Sequence, residues 1–426
     1  MLPCFSKILE RLMFNKIILY LNKYNILSDS QYGFRPGRST ELALIDVINK
    51  LNIAAENNTF SIGFFLDLSK AFDTIDHSIL LDKMNSYGFK GISYNWIKSY
   101  LSNRKQFTMF KDKTSDQLTV KCGVPQGSIL GPLLFIIYMN DITSVSKNSS
   151  LVLFADDTNI FFSSNNKQLL EKTVNTELTL YSDWFAANKL SLNISKTNYM
   201  AFNMNKSNYD FNITINNQPI TVAENVKFLG VYIDPNLTWQ CHISHLCSQV
   251  AKGVGIIGRL KYILPKNVLR TIYLTLVYPH LTYCATIWSN TTKANLNKLI
   301  ILQKRAIRHV AIAGPRDHTN NLFQSLNLLK LNDIIKVSTA VFTYKLIHNF
   351  LPTAFSVSYT HNSLVHNHNT RQSHQLHLPY TRTSSSQNTL RYKAIKLWNS
   401  LTDTLTNKPS IYSFRHNLTR HFINTY

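Results

Sequence analysis

Apolar positions along the chain follow two rhythms. Between residues 5 and 24, Ile8, Leu12, Ile17 and Leu21 recur at helical spacing. The same period returns over residues 41–55, where Leu44, Val47, Ile48 and Leu51 share a face and Ser39 or Thr40 stands in capping position. Short apolar runs predict strands at 61–68, 117–121, 197–202, 211–215 and 226–233. Residues 151–162 read as strand, tight turn, strand. Helical patterns occupy 77–87, 94–101 and 169–188, and another helix carries Pro132 in its first turn. Breakers punctuate Tyr32-Gly33-Phe34-Arg35-Pro36-Gly37-Arg38 and Gly123-Val124-Pro125-Gln126-Gly127, so both are loops. Beyond Trp239 the pattern is helical to about residue 350, then loop-like over 352–390, with a last helix at about 390–401. This order predicts an α+β sheet domain followed by an all-helical region, without internal repeats.

Charge separates the two regions further. The chain of 426 residues has 45 Lys and Arg against 23 Asp and Glu, a net +22. Residues 241–426 hold 22 of the basic residues and 3 of the acidic ones, which makes that half a surface for a polyanion. The first half is nearly neutral and can host a carboxylate site. Five cysteines, at 4, 122, 241, 247 and 284, are few and scattered, as in a reducing compartment. Cys241, His242, His245 and Cys247 share their segment with Ile243, Leu246 and Val250 at helical spacing, which predicts a structural helix and no zinc site. Lys7, Glu10 and Arg11 interrupt the first apolar run, so no secretion leader is expected. The uncharged stretch 271–292 contains Pro279 at its centre and predicts two buried helical pieces, not a membrane span.

Three acids stand out against this background. Asp156 and Asp157 lie at the turn of the predicted hairpin, and Asp67 lies in an apolar strand run 89 positions before Asp156. Ionised carboxylates are costly among buried strands unless a cation or partner neutralises them. Three aimed at one point suit hard divalent ions, which take oxygen ligands. Such a cluster in a basic chain points to nucleotidyl transfer, in which a 3′-hydroxyl attacks an α-phosphate and two metal ions bridge the attacking and leaving oxygens.

The blocks Gln31-Tyr-Gly-Phe-Arg-Pro-Gly-Arg-Ser-Thr40, Phe65-Leu-Asp-Leu-Ser-Lys-Ala-Phe-Asp-Thr-Ile-Asp-His77, Gly123-Val-Pro-Gln-Gly-Ser-Ile-Leu-Gly-Pro-Leu-Leu-Phe135 and Phe154-Ala-Asp-Asp157 occur in that order, followed by Ser191-Leu-Asn-Ile-Ser-Lys-Thr197 and Phe228-Leu-Gly230. In these blocks the chain resembles the reverse transcriptases of non-LTR retrotransposons (LINEs), especially the jockey-like group. The resemblance weakens after about residue 310.

It implies a right-hand polymerase: partial fingers at 1–60, a palm with an antiparallel sheet at 61–236, a helical thumb at 237–312 and a basic, mostly helical nucleic-acid-binding region at 313–426. It implies an RNA-directed DNA polymerase that extends a 3′-OH primer, such as nicked target DNA, with dNTPs on an RNA template. Asp67 and Asp156 would ligate two Mg²⁺ ions (or Mn²⁺), with help from the Leu68 carbonyl and support from Asp157. Phe72 matches a gate against the ribose 2′-OH. Gln126 and Gly127 match the loop against the incoming nucleotide. Arg35 and Arg38 would reach phosphates, and Lys196 the leaving pyrophosphate. Phe228, Leu229 and Gly230 match the primer grip. Arg259, Lys261, Lys304, Arg305 and Arg308 would contact nucleic acid from the thumb. Asp73, Asp76 and His77 are expected to cap the following helix. The resemblance also implies a ribonucleoprotein of nucleus and cytoplasm, not secreted and not bound to membrane.

Two departures from the family pattern bear on activity. Leu2-Pro3-Cys4-Phe5-Ser6-Lys7 matches the middle of the first fingers block, so upstream fingers strands and the endonuclease are expected to be missing. No CCHC knuckle follows, and His361, His366, His368, His374 and His377 lack cysteine partners for a metal. The other readings are a catalytically inactive relic that grips nucleic acid and, less well matched, a group II intron-type maturase.

Overall fold

In the computed structural model the described residues are 4–125, 127–202, 211–352, 355, 359–365, 372–381 and 383–426. They divide into two compact units, residues 1–43 with 57–223, and 44–56 with 224–426. The division falls near residue 224, earlier than the sequence boundary at 236.

The first unit is built on helix α1 (Cys4–Lys23), the start of α2 (Thr40–Glu56), strand β1 (Phe60–Leu66) and helices α3 (His77–Ser86), α4 (Ile92–Leu101) and α5 (Gly131–Tyr138). The hairpin β2 (Ser150–Phe154) and β3 (Asp157–Ser164), helix α6 (Lys167–Ala187) and strands β4 (Asn198–Phe202) and β5 (Thr221–Val222) complete it. The Ser39 hydroxyl accepts the Leu42 N–H at 3.3 Å, which settles the cap of α2 on Ser39.

The sheet order is β5-β4-β1-β3-β2. All pairs are antiparallel except β5 with β4, which correct the expected purely antiparallel sheet. A small hairpin at Thr214–Ile215 and Gln218–Pro219 reverses the chain once more, so β5 returns in the direction of β4. Alternate residues of β1 face opposite sides. Ile62, Phe64 and Leu66 enter the core with Leu80, Phe135 and Leu178, which leaves Phe65 and Asp67 on the other face.

Lys83 ties α3 to the end of α5. Its ammonium donates to the Tyr138 carbonyl at 2.7 Å and to Asp141 at 2.6 Å. It also lies 4.8 Å from the ring centres of Tyr138 and Trp184. Burial, which outweighs the attraction of Asp141, moves its pKa down.

The strand expected at 117–121 shrinks to Leu118–Thr119, paired with Lys105–Gln106 on an exposed arm. Phe107, Met109, Phe110 and Leu118 are all exposed there, so no buried face holds a longer ladder.

The second unit contains the hairpin β6 (Val226–Phe228) and β7 (Val231–Ile233), then α7 (Gln240–Leu260), α8 (Lys266–Leu276), α9 (Lys293–Ala311) and α10 (Leu331–Ile347). Between α8 and α9 the uncharged stretch forms two further short helices, Tyr278–Thr282 and Ala285–Trp288. The sequence had suggested two pieces for 271–292; Cys284, left-handed at φ 51°, adds the second break. The helix α11 (Leu390–Ser400) is as expected, but α12 (Ile411–Asn424) is not in the sequence reading. Phe414, Leu418 and Ile423 of α12 are buried, and Phe414 stacks on Tyr344 of α10 at 4.7 Å.

His242 on α7 is buried, accepts the Tyr232 N–H at 3.4 Å, and is lowered to about 4 by burial and then by His245. The helix reading of 241–247 therefore holds. No helix among the described residues is long and apolar enough to cross a membrane.

Candidate active site

The three acids meet at one end of the sheet. β1 pairs with β3 with Leu66 opposite Thr158, and the β2–β3 hairpin closes with Phe154 opposite Asp157. Asp67 thus follows Leu66, the last paired residue of β1, Asp157 precedes the Thr158 that Leu66 pairs with, and the charges of both Asp67 and Asp156 bear on Asp157. Ala155 and Asp156 form the two-residue turn, with Ala155 left-handed at φ 56°.

The backbone of Asp67 is fixed from the other side. Asn193 N–H donates to the Asp67 carbonyl at 2.9 Å, and Ser69 N–H to the Ser191 carbonyl at 2.9 Å. Leu68 pairs with Leu192 between these bonds. Successive backbone groups alternate sides in a ladder, so the Leu68 carbonyl is turned toward the edge of β3, where Asp157 begins.

Electrostatics follow from this crowding. Partial desolvation, then the charges of Asp156 and Asp67, push the Asp157 carboxyl from 3.8 up to about 6. The folded pKa is raised, so ionisation costs the native state more than the unfolded one. Stability is therefore lost as pH rises from about 4 to about 6. Asp157→Asn removes this cost: the variant should melt above the wild type at pH 7, and the difference should vanish below pH 4. Thermal melts of both proteins across that range check it.

Among the described residues no three acids, histidines or cysteines are already closed around a point at coordinating distance. The donor set nevertheless fits a hard divalent cation, being all carboxylate and carbonyl. Lys196 supplies one neighbouring positive charge, with its Nζ 3.9 Å from Asp67 and its side chain largely exposed.

Phe72 is half-buried, stacked on Phe135 with ring centres 4.4 Å apart and edge-on to Phe34 at 6.3 Å. Val124 N–H donates to the Phe72 carbonyl at 3.1 Å, and Gly123 N–H to the Ile75 carbonyl at 2.8 Å. The Phe72 segment and the Gly123-Val124-Pro125 loop thus form one piece. A Cβ at Gly123 would stand 2.7 Å from the Asp73 carbonyl oxygen, at a φ of +80°. Gly127 is also left-handed, at φ +79°, with open space around it. Gln126 lies outside the described residues.

Asp76 caps α3 as expected: its carboxylate accepts the N–H of Ser78 and Ile79 and pairs with Lys189 at 2.6 Å. These bonds, Lys189 foremost, hold it far below the usual carboxylate range. His77 does not cap; its Nε2 bonds the Gly123 carbonyl at 2.8 Å.

Arg35 and Arg38 are both engaged within their own loop. Arg35 donates to the Ser28 carbonyl, and Arg38 bonds Asp29 and covers the Tyr32 ring at 5.1 Å. Burial, then the charge of Arg38, lowers Arg35 to about 10. Both guanidiniums staple their own loop, and a phosphate would have to replace these bonds.

In the second unit, Phe228-Leu229-Gly230 is the turn of β6–β7. Phe228 is buried, while Leu229 (φ 45°) and Gly230 (φ 81°) are both left-handed, the signature of a type I′ turn. Tyr283 OH donates to the Leu229 carbonyl at 2.7 Å. Lys261, just past the end of α7, and Arg305 on α9 both bear on His309 and, after burial, lower its pKa, so these two cations share one patch. Arg259 and Arg305 are exposed and Lys304 half-exposed, whereas Arg308 is tied to the Asp317 carbonyl at 2.9 Å. His361 and His377 bond loop partners, and His366 and His368 lie outside the described residues.

Two organisers escaped the sequence reading. Glu10, buried on α1, accepts the Ile129 N–H at 2.7 Å and the Tyr100 hydroxyl at 2.8 Å, and so ties α1 to the loop after Gly127. Its signal was an acid on a helix face that is otherwise apolar. Asn193 holds the Asp67 carbonyl through its backbone, which no side-chain pattern announces.

The sequence profile of the family described as reverse transcriptase (RNA-dependent DNA polymerase) matches residues 1–233, more than half of the chain. The chain belongs to this family. Among curated relatives, the RNA-directed DNA polymerase from the mobile element jockey of Drosophila melanogaster is 28% identical over 345 residues, 78% of this chain and 37% of that protein. The probable RNA-directed DNA polymerase from transposon BS of the same fly is 27% identical over 357 residues, 81% of this chain and 39% of that protein. The chain thus spans little more than a third of the length of these two relatives. Among solved structures, the apo telomerase of Candida tropicalis is 12% identical with a TM-score of 0.43, covering 82% of this chain and 59% of that one.

Proposed function

We propose that this chain is the polymerising part of an RNA-directed DNA polymerase from a non-LTR retrotransposon of the jockey-like group, adding dNTPs to a 3′-OH primer on an RNA template. The observation that carries this is the strand register that brings Asp67 and the Asp156-Asp157 turn to one end of the sheet. Asp67, Asp156 and the Leu68 carbonyl would hold two Mg²⁺ ions (or Mn²⁺), with Asp157 beside them. Such ions, when bound, lower the pKa of the attacking hydroxyl and offset charge on the leaving pyrophosphate.

The chain's own side chains do the rest. Lys196, beside Asp67, is placed to give a proton or a charge to the leaving group. Phe72, backed by Phe135, presents a rigid ring under the sugar, with Gly127 and Gln126 against the nucleotide. Phe228, Leu229 and Gly230 hold the primer end. Arg259, Lys261, Lys304 and Arg305 contact the RNA template or the primer and target DNA through phosphates. In this reading residues 61–236 act as palm, 237–312 as thumb, 1–60 as partial fingers and 313–426 as an added nucleic-acid surface. The protein would work within a ribonucleoprotein in nucleus and cytoplasm.

The deciding experiment is primer extension by the purified chain on poly(rA)/oligo(dT) with Mg²⁺. Incorporation of dTTP supports the reading; binding of the duplex without any extension overturns it.

A further inference from the structure

Gln31 is 2% exposed, yet its carboxamide is only half used. The Oε1 accepts two backbone N–H groups, from Gly33 at 2.7 Å and from Ala155 at 3.1 Å. The Nε2 is buried and has no partner among the described residues. An apolar side chain of the same volume would fill this space without an orphan donor, so packing alone does not account for a carboxamide.

The acceptor end is what the site needs. Ala155 is the first residue of the Asp156-Asp157 turn, left-handed, and its N–H donates to the Gln31 carboxamide. Without Gln31 that N–H would be an unsatisfied buried donor.

The surrounding backbone reinforces the contact. Tyr32 N–H donates to the Leu153 carbonyl at 2.8 Å, and Leu153 N–H to the Ser30 carbonyl at 2.9 Å, so residues 30–32 lie along the outer edge of β2. Gly33 then passes so close that a Cβ would stand 2.3 Å from the Ala155 nitrogen. Bond and close approach press on the same peptide, one residue before Asp156.

We propose that Gln31 is a positioning residue for the active site: its carboxamide oxygen, with Gly33 as backstop, sets the height of the Asp156-Asp157 turn against Asp67. This rests on the metal-binding reading of those acids, and it assigns the Gln31-Tyr32-Gly33 segment a task on the carboxylates as well as in its own loop.

The test compares Gln31→Met, which keeps the volume and deletes the acceptor, with Gly33→Ala, which pushes the turn from the other side. Leu178→Ala, a buried change on α6 distant in sequence from both Gln31 and Gly33, controls for general destabilisation. Mn²⁺ uptake is read from the loss of the free-ion EPR signal, which needs no turnover, alongside primer extension and affinity for the primer–template. Both turn variants should bind Mn²⁺ about 10- to 100-fold more weakly and extend primers slower by a similar factor. Duplex affinity should stay near wild type, and Leu178→Ala should keep wild-type Mn²⁺ affinity. If Gln31→Met does not fold, Gly33→Ala decides alone. Wild-type Mn²⁺ affinity in the turn variants, or an equal loss in Leu178→Ala, overturns the proposal while leaving the polymerase reading intact. A wild type that takes up no Mn²⁺ sensitive to Asp156→Asn overturns both.

Discussion

Asp156→Asn is expected to lower primer extension by about a thousandfold or more, the scale on which one member of a charge-stabilising set acts. Asn keeps the size and turn preference of Asp, so the β2–β3 hairpin should close as before. What disappears is one negative charge where the proposed cations would be held. Asp156 is one of the two charges that raise Asp157, so the Asp157 pKa should fall in the variant and the fold should not lose stability. Affinity for an RNA–DNA duplex should change by no more than a few-fold, because the excess positive charge lies in residues 241–426. Single-turnover extension with a filter-binding assay on the same preparations separates the two. Unchanged extension would remove Asp156 from the metal assignment.

Phe72→Val should raise the use of ribonucleotides relative to deoxyribonucleotides by roughly 10- to 100-fold, the range over which pocket contacts discriminate. The ring is held rigid by its stack on Phe135 and its edge contact with Phe34, which gives it the stiffness a steric gate requires. Its half-buried position also makes a cost in stability inevitable. That cost should be about 1–2 kcal/mol, less than for a fully buried phenylalanine. A purely structural Phe72 would show the stability loss without any change in sugar selection. Competition between dTTP and UTP on the same template, read as a ratio, distinguishes these outcomes.

Much of this was legible in the sequence because the determinants are local. A short apolar run holding Asp67 and a hairpin turning at Asp156 need only local hydrophobicity and turn chemistry to be seen, and the structure pairs the two strands that carry them. The caps at Ser39 and Asp76 are equally local. What could not be read depends on partners far apart in the chain. Glu10 and Ile129 are 119 positions apart, and Gln31 and Ala155 are 124 apart, so neither bond leaves a trace in spacing. Arg35 and Arg38 show another limit: residue type suggests phosphate, and their bonds to Ser28 and Asp29 cannot be read from residue type. The helix α12 is weakly marked in the sequence, since only Phe414, Leu418 and Ile423 of its residues are buried and polar residues fill most of the rest.

Lys83 has a practical consequence. Most lysines in this chain extend into water, whereas its side chain is 13% exposed, held by a carbonyl and a carboxylate and flanked by two rings. An acylating reagent can reach that amine only when α3 and the end of α5 part. The fraction of Lys83 labelled over time, measured by mass spectrometry against the exposed lysines, therefore works as an internal clock for opening of the sheet unit.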